Sequence, residues 1–357
     1  MKKIIFVIGS LQAGGAERVA SRLCSYWAES EFFTVKLVTG DSKNNDFYHL
    51  SPLVFRESLN FNYNNISIFN KILEQFYRYF KIRKFLRESE CDTIILSTTE
   101  ISIRFLFNLL FTKSKIIVCE HNNYFALKSG FKRFFRFLMY KRADKVFLLT
   151  ERDKVVYISK RFSKQKIFVM RNPLGVENSI YKKKFINFKL LAIGRLTEQK
   201  AFHRLLEIFA SLDSKYTLTI LGEGPKKEAL QALANEFAIA DRVTFAGNSS
   251  NISDFYNEHD VLLMTSIYEG LPMVINEANA FGLPVIAYDC PTGPSEMIRN
   301  NVNGFLIPDG DKDAYVNMIN HLLYDSDLYS KLSQESFIVS KKSSISVIAD
   351  EWKKHLS

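Results

Sequence analysis

The chain has 357 residues, 47% of them hydrophobic and 24% charged, which is too long for one ordinary core, fits two globular domains and excludes a disordered protein. Its net charge of +10 is uneven: residues 1–170 hold 29 Lys and Arg against 15 Asp and Glu, a net of +14, and residues 171–357 net −4, so the first half suits an anionic partner, a membrane surface or a polyanion. Cys24, Cys91, Cys119 and Cys290 are scattered, with no C-x-x-C pair, which argues against a zinc site or a disulfide framework and points to the reducing cytoplasm.

The opening apolar run, Ile4 to Ile8, is shorter than the ~7–15-residue core of a signal peptide and is predicted as a buried strand. A glycine loop over 9–15 leads from it to a helix over 16–27. Gly9, Gly14 and Gly15 do not make G-x-G-x-x-G, and no Lys-Ser/Thr follows, which excludes the dinucleotide fingerprint and the P-loop. Strands over 35–39, 93–96 and 116–118 alternate with helical stretches, the pattern of a parallel sheet covered on both faces. Ligands of such sheets bind beyond the carboxyl ends of the strands. Glu120-His121-Asn122-Asn123 stands at one such end. No run approaches the ~18–20 apolar residues of a spanning helix.

Two helical stretches are both basic and apolar. Residues 71–87 mix Ile72, Phe76, Tyr79, Phe80 and Leu86 with Lys71, Arg78, Lys81, Arg83, Lys84 and Arg87. Residues 131–142 mix Phe131, Phe134, Phe135, Leu138 and Met139 with Lys132, Arg133, Arg136, Lys141 and Arg142. Such helices suit the surface of an anionic bilayer or the diphosphate of a lipid carrier; the plainer alternative packs each apolar face on the sheet and solvates each basic one. The charge of the whole half favours the membrane.

The pattern restarts after Arg171-Asn172-Pro173, and a polar bridge over 178–187 leads to a strand over 190–193. Domains are therefore expected over 1–172 and 173–340, with a helical segment over 341–357 returning to the first. The strand over 190–193 ends in Gly194-Arg195-Leu196-Thr197-Glu198-Gln199-Lys200, one over 217–221 enters Gly222-Glu223-Gly224-Pro225, and one over 243–247 runs into Asn248. The Asp-x-Asp pairs at Asp309, Asp311, Asp313, Asp325 and Asp327 lie in late polar segments and read as turns, so no metal is expected.

A strand over 261–264 precedes Ser266-Ile267-Tyr268-Glu269-Gly270-Leu271-Pro272-Met273. Glu269 falls in a turn ahead of a helix that begins near Pro272. Backbone N–H groups from Gly270 to Met273, at the positive end of that helix, can hold a phosphate. Glu277, eight positions after Glu269, lies one to two turns inside, about 6–8 Å along the axis. A nucleotide-sugar has these proportions, with sugar at Glu269, diphosphate at the helix terminus and ribose at Glu277.

The run EGLPMVINEANAFGLPVIA resembles the E-x7-E segment of the family 4 retaining glycosyltransferases, enzymes with two Rossmann-like α/β domains facing a cleft, the GT-B fold. Gly14-Gly15-Ala16-Glu17-Arg18 is similar to that family's Gly-Gly-Ala-Glu-Arg loop, Glu120-His121-Asn122-Asn123 to its Glu-His-x-Asn segment, and Gly194 to Lys200 to its Gly-Arg-Leu-x-x-x-Lys segment. The resemblance implies that backbone at Gly14 and Gly15 approaches the donor, that His121 contacts the donor sugar, and that Arg195 and Lys200 neutralise its diphosphate. It also implies that Gly222, Gly224 and Asn248 edge the nucleotide, and that Glu269, Gly270, Leu271, Pro272 and Glu277 complete the donor site. Fixed cations are what a departing diphosphate needs in a closed site.

Asp289-Cys290-Pro291-Thr292-Gly293-Pro294 looks like a segment of capsule and lipopolysaccharide enzymes. The expectation is a retaining transferase moving a hexose or N-acetylhexosamine from a UDP-sugar, without metal, to a polyprenyl-diphosphate-linked glycan. It would act in the cytoplasm, peripherally on the inner face of the membrane, with no nucleic-acid partner. The alternatives are a GT-B nucleotide-sugar epimerase, which needs no lipid acceptor, and a non-catalytic binding relative, which would ordinarily have lost Glu269 or Arg195.

Overall fold

The computed structural model describes residues 1–356 apart from 13, 62–67, 109–112, 125–126, 128, 177–180, 182–184 and 250, and for 68–72 the backbone alone. Lys71, Ile72 and most of the predicted polar bridge therefore lie outside the described side chains. The chain divides into two compact units, Met1–Pro173 with Ile345–Ser357, and Leu174–Ser344.

The first unit runs β1 (Lys2–Ile8), α1 (Gly15–Glu29), β2 (Phe33–Thr39), β3 (Phe55–Ser58), α2 (Ile68–Glu88), β4 (Thr93–Ser97), α3 (Thr99–Leu106), β5 (Lys115–Cys119), α4 (Gly130–Tyr140), β6 (Lys145–Leu148), α5 (Glu151–Ser159) and β7 (Ile167–Val169). Its sheet is parallel, in the order β3-β2-β1-β4-β5-β6-β7. The second unit runs β8 (Lys189–Ile193), α6 (Phe202–Phe209), β9 (Thr217–Leu221), α7 (Lys227–Glu236), β10 (Val243–Gly247), α8 (Ile252–Glu258), β11 (Val261–Met264), α9 (Met273–Ala280), β12 (Val285–Tyr288), α10 (Pro294–Met297), β13 (Gly304–Ile307), α11 (Lys312–Tyr324) and α12 (Ser326–Ser340). Its parallel sheet has the order β10-β9-β8-β11-β12-β13. Each is a Rossmann-like doubly wound sheet whose strand order reverses once, beside β1 and β4 or beside β8 and β11. In sheets of this kind ligands bind just beyond the carboxyl ends of the strands at such a reversal.

Helices on both faces explain why the strands read as continuous apolar runs rather than alternating ones. In the second sheet Leu190, Ala192, Val261, Leu263 and Ile286 enter one core. Their neighbours Leu191, Leu262, Met264, Val285 and Ala287 enter another, because successive side chains of a strand point to opposite faces.

Two arginines expected on basic outer faces are internal. Arg78, 6% exposed, pairs with Glu74 and lies over the Phe61 ring at 5.5 Å. Arg136, 1% exposed, donates to the Tyr124 carbonyl at 2.7 Å and stands 3.7 Å from the buried carboxylate of Glu120. Burying Glu120 without a cation would leave an uncompensated charge, and Arg136 is the cation within reach. Because it turns inward, the phenylalanines on the opposite side of α4 turn outward: Phe131, Phe134 and Leu138 are exposed, as are Leu73, Phe76, Tyr77 and Phe80 on α2.

The last helix, α13 (Ile345–Leu356), belongs to the first unit. Trp352 meets Trp27 edge-on at 5.4 Å and Phe147 at 4.8 Å. Replacing this 4%-exposed side chain by alanine is expected to destabilise the first unit by about 3–5 kcal/mol, the usual cost of emptying a buried aromatic site. Trp27, the remaining tryptophan, reports that unit's urea transition by fluorescence; a change under ~1 kcal/mol would mean that α13 contributes little to the fold.

Candidate active site

In the second unit the loops after β8, β9 and β11 converge. A Cβ on Gly222, at φ 144°, would lie 2.1 Å from the Gly194 carbonyl oxygen, and one on Gly224 would lie 2.4 Å from that of Leu196. Only glycine lets the two turns touch in this way. Backbone bonds then lock them, from Gly194 N–H to the Leu221 carbonyl at 3.0 Å and from Leu196 N–H to that of Glu223 at 2.9 Å. Gly222 N–H donates to the Gly247 carbonyl at 2.7 Å, which puts exposed Asn248 beside the same turn.

The loop after β8 is fastened equally to the turn that carries Glu269. Ile267 N–H donates to the Gln199 carbonyl at 2.9 Å, and Gln199 Nε2 to that of Tyr268 at 3.0 Å. Lys200 Nζ reaches Glu269 Oε1 at 2.6 Å. Glu269 is 6% exposed and its carbonyl accepts from the Thr292 hydroxyl. Arg195 is exposed, and its side chain makes no hydrogen bond or ion pair among the described residues. Lys200 and Glu269 thus pair at the reversal point of this sheet, in the turn that leads into α9, and Arg195 lies five residues before Lys200 on the loop after β8.

Pro272 is the N-cap of α9, flanked by Gly270 and buried Leu271. Glu277 falls one turn into the helix and is fully buried, where its Oε2 accepts from the Tyr256 hydroxyl at 2.9 Å. Tyr256, on α8, has no local signal in the sequence that ties it to Glu277. The Asp-x-Asp stretches have capping duties: Asp311 accepts from Ala314 N–H at 3.0 Å, and Asp325 from Asp327 and Leu328. Among the described residues no group of three or more His, Cys, Asp and Glu is placed to hold a metal ion.

In the first unit Gly14 caps α1 and Gly15 begins it, past the end of β1. His121 follows β5, and its Nε2 is 2.9 Å from Ser97 Oγ, the last residue of β4. The residue keeps some exposed surface, but its Nδ1 is buried and unpartnered among the described residues. Desolvation lowers its pKa to about 4, so the ring is neutral near pH 7. Next to it Glu120 accepts from Thr99 Oγ1 at 2.6 Å and from Tyr140 at 2.8 Å. Sequence reading missed this clamp, since Ser97 lies one residue past the predicted strand.

The profile described as Glycosyltransferase Family 4 matches residues 13–177, and that of Glycosyl transferases group 1 matches 177–337. A Campylobacter jejuni protein, GalNAc-alpha-(1->4)-GalNAc-alpha-(1->3)-diNAcBac-PP-undecaprenol alpha-1,4-N-acetyl-D-galactosaminyltransferase, is 30% identical over 99% of this chain and 98% of its own. The chain belongs to the family 4 glycosyltransferases. The amylovoran biosynthesis glycosyltransferase AmsD of Erwinia amylovora is 28% identical, over 98% of each chain. Among solved structures, Anabaena HepE in complex with UDP and glucose has a TM-score of 0.82 at 18% identity, covering 100% of this chain and 99% of its own. At that identity the likeness concerns the fold, and the transferase keeps the two-sheet GT-B architecture.

A base with a lowered folded pKa confers stability that is present above its unfolded value and lost on acidification. For His121 the window runs from about 6.5, its ordinary value, down to about 4. There the unfolded chain binds a proton that the folded one refuses, at up to ~1.4 kcal/mol per pH unit. Replacing His121 with glutamine is expected to flatten the stability profile in that window and leave it unchanged above pH 7; an unaltered acid limb in urea titrations would contradict this burial.

Proposed function

We propose that this transferase moves a hexose or N-acetylhexosamine from a UDP-sugar to a polyprenyl-diphosphate-linked glycan, with retention at the anomeric carbon, in the building of a bacterial surface polysaccharide or lipid-linked oligosaccharide. The observation that carries this reading is the pairing of Lys200 with Glu269 at the reversal point of the second sheet, in the turn that leads into α9, with Arg195 on the same loop as Lys200. Support for the acceptor comes from the Campylobacter relative, whose name specifies an undecaprenol-diphosphate-linked glycan. Support for the donor comes from the HepE structure, which contains UDP and glucose.

In this mechanism Arg195 and Lys200 balance the charge that grows on the diphosphate as its bond to the sugar's anomeric carbon breaks. The acceptor hydroxyl attacks that carbon from the face the diphosphate leaves, and its proton passes to a departing phosphate oxygen, so the configuration is kept. Glu269 holds Lys200 in place and lies against the sugar, Glu277 serves the ribose, and His121 contacts the donor sugar. Gly14, Gly15, Gly222, Gly224 and Asn248 shape the nucleotide's surroundings, and Gly270, Leu271 and Pro272 form the phosphate-facing start of α9. With Arg195 and Lys200 supplying this charge, the mechanism calls for no metal.

Incubation with a panel of nucleotide-sugars and membrane lipid extract identifies the sugar moved and, from the product's anomeric configuration, the stereochemistry. With the active donor, Arg195→Ala is expected to lower kcat by about 10²–10³, as loss of one preorganised charge-stabilising donor commonly does. Full turnover in that variant would remove the diphosphate role from Arg195.

The same reading puts the protein at the inner membrane face. None of the helices among the described residues is long and apolar enough to cross a bilayer. The outward stripes of α2 and α4 instead suit its interface, where aromatic side chains enter the headgroup boundary and nearby lysines and arginines meet anionic lipid. Replacing Phe131 and Phe134 with serine is expected to lower partition onto anionic vesicles about tenfold or more, since each buried aromatic is worth roughly 1.5–3 kcal/mol when fully withdrawn from water. Lys132→Gln with Arg133→Gln should matter less, and mainly at low salt. Equal vesicle binding by the serine variant would show that this face does not touch the bilayer.

A further inference from the structure

At the carboxyl edge of the first sheet the turn after β4 grips the residues after β5 at two points. Ser97 Oγ lies 2.9 Å from His121 Nε2, and Thr99 Oγ1 donates to Glu120 Oε2 at 2.6 Å. Between them Thr98 has φ 75° and ψ 148°, a backbone region that β-branched residues rarely enter. Such strain persists only where the surroundings over-determine it. Here Thr98 N–H is tied to the Cys119 carbonyl at 3.2 Å, and its own carbonyl accepts from both Ser102 N–H at 3.1 Å and Ser102 Oγ at 2.7 Å. Glu120, in turn, is held by Tyr140 and Arg136.

The direction of the Ser97 to His121 bond follows from counting unpaired groups. A neutral imidazole has one N–H and one lone pair. Were Nε2 to donate to Ser97, the serine proton would need another acceptor, and among the described residues it has none; Nδ1 would be unpaired as well. With Ser97 as donor, only the Nδ1–H is unpaired. Buried polar groups without partners are costly, so the second arrangement wins.

We propose that Ser97 is a positioning residue for the transfer reaction: its hydroxyl donates to Nε2 of His121, fixing the Nδ1–H tautomer and the orientation in which the ring meets the sugar. The inference rests on the reading of His121 as a sugar contact. Its geometric half, the tautomer, is independent of that reading. The neutral state of the ring agrees with an Nε2 that accepts.

The test uses the full chain labelled with nitrogen-15, with the imidazole signals of His121 assigned by their absence in His121→Gln. Long-range proton–nitrogen spectra are expected to show a protonated Nδ1 and a bare Nε2 in the wild type, and a mixture of tautomers in Ser97→Ala. A protonated Nε2 in the wild type, or an unchanged tautomer in the variant, overturns the proposal. With the UDP-sugar found active in the donor panel, Ser97→Ala should lower kcat at least tenfold with little change in KM, and Ser97→Thr, which keeps the hydroxyl, should restore most of it. Wild-type kcat in Ser97→Ala overturns the positioning role. If His121→Gln itself turns over normally, the sugar-contact reading fails, and the spectra still decide whether Ser97 sets the tautomer.

Discussion

The bond from Lys200 to Glu269, 2.6 Å long and mostly shielded from water, joins two loops that the chain supplies 69 residues apart. In an open setting such an ion pair is worth little. Here it lies among backbone bonds between the same loops and beside a helix terminus, so the carboxylate orients the cation at the place where the sheet order reverses. The architecture makes this meeting possible: β8 and β11 are adjacent in space because the order β10-β9-β8-β11 changes direction between them. Gly222 and Gly224 then let the β9 turn close against the β8 turn.

In the first unit a different constraint governs. Glu120 is a buried carboxylate that accepts from Asn122 N–H, two residues on, at 3.3 Å, and from groups of other elements: Thr99 of α3 and Tyr140 of α4, with Arg136 of α4 3.7 Å away. With Arg136 drawn inward, Phe131 and Phe134 on the opposite side of α4 face out, while Phe135 and Phe137 pack partly on the core. The aromatic outer stripe of α4 thus accompanies one buried charge. A helix that reads as cationic is cationic only at its edges, through Lys132 and Arg133, while Arg136, 1% exposed, is stacked over Tyr124 at 4.7 Å and Tyr157 at 5.6 Å.

The sequence by itself determined the two-sheet α/β architecture, the family and the stretches that form the candidate site, because these depend on local patterns. Apolar runs of strand length, glycines at strand ends and a glutamate ahead of a proline-initiated helix all lie within about ten residues of one another. Tertiary structure alone decided which side chains those stretches face. Lys200 pairs with Glu269, Tyr256 covers Glu277, Ser97 meets His121, and Arg78 and Arg136 turn inward, all through contacts between elements whose spacing along the chain carries no signal. Charge and periodicity show that a helix has a basic side; whether that side meets solvent or a buried carboxylate depends on what the fold brings opposite it, since a buried ion must find its counterpart wherever the packing places one.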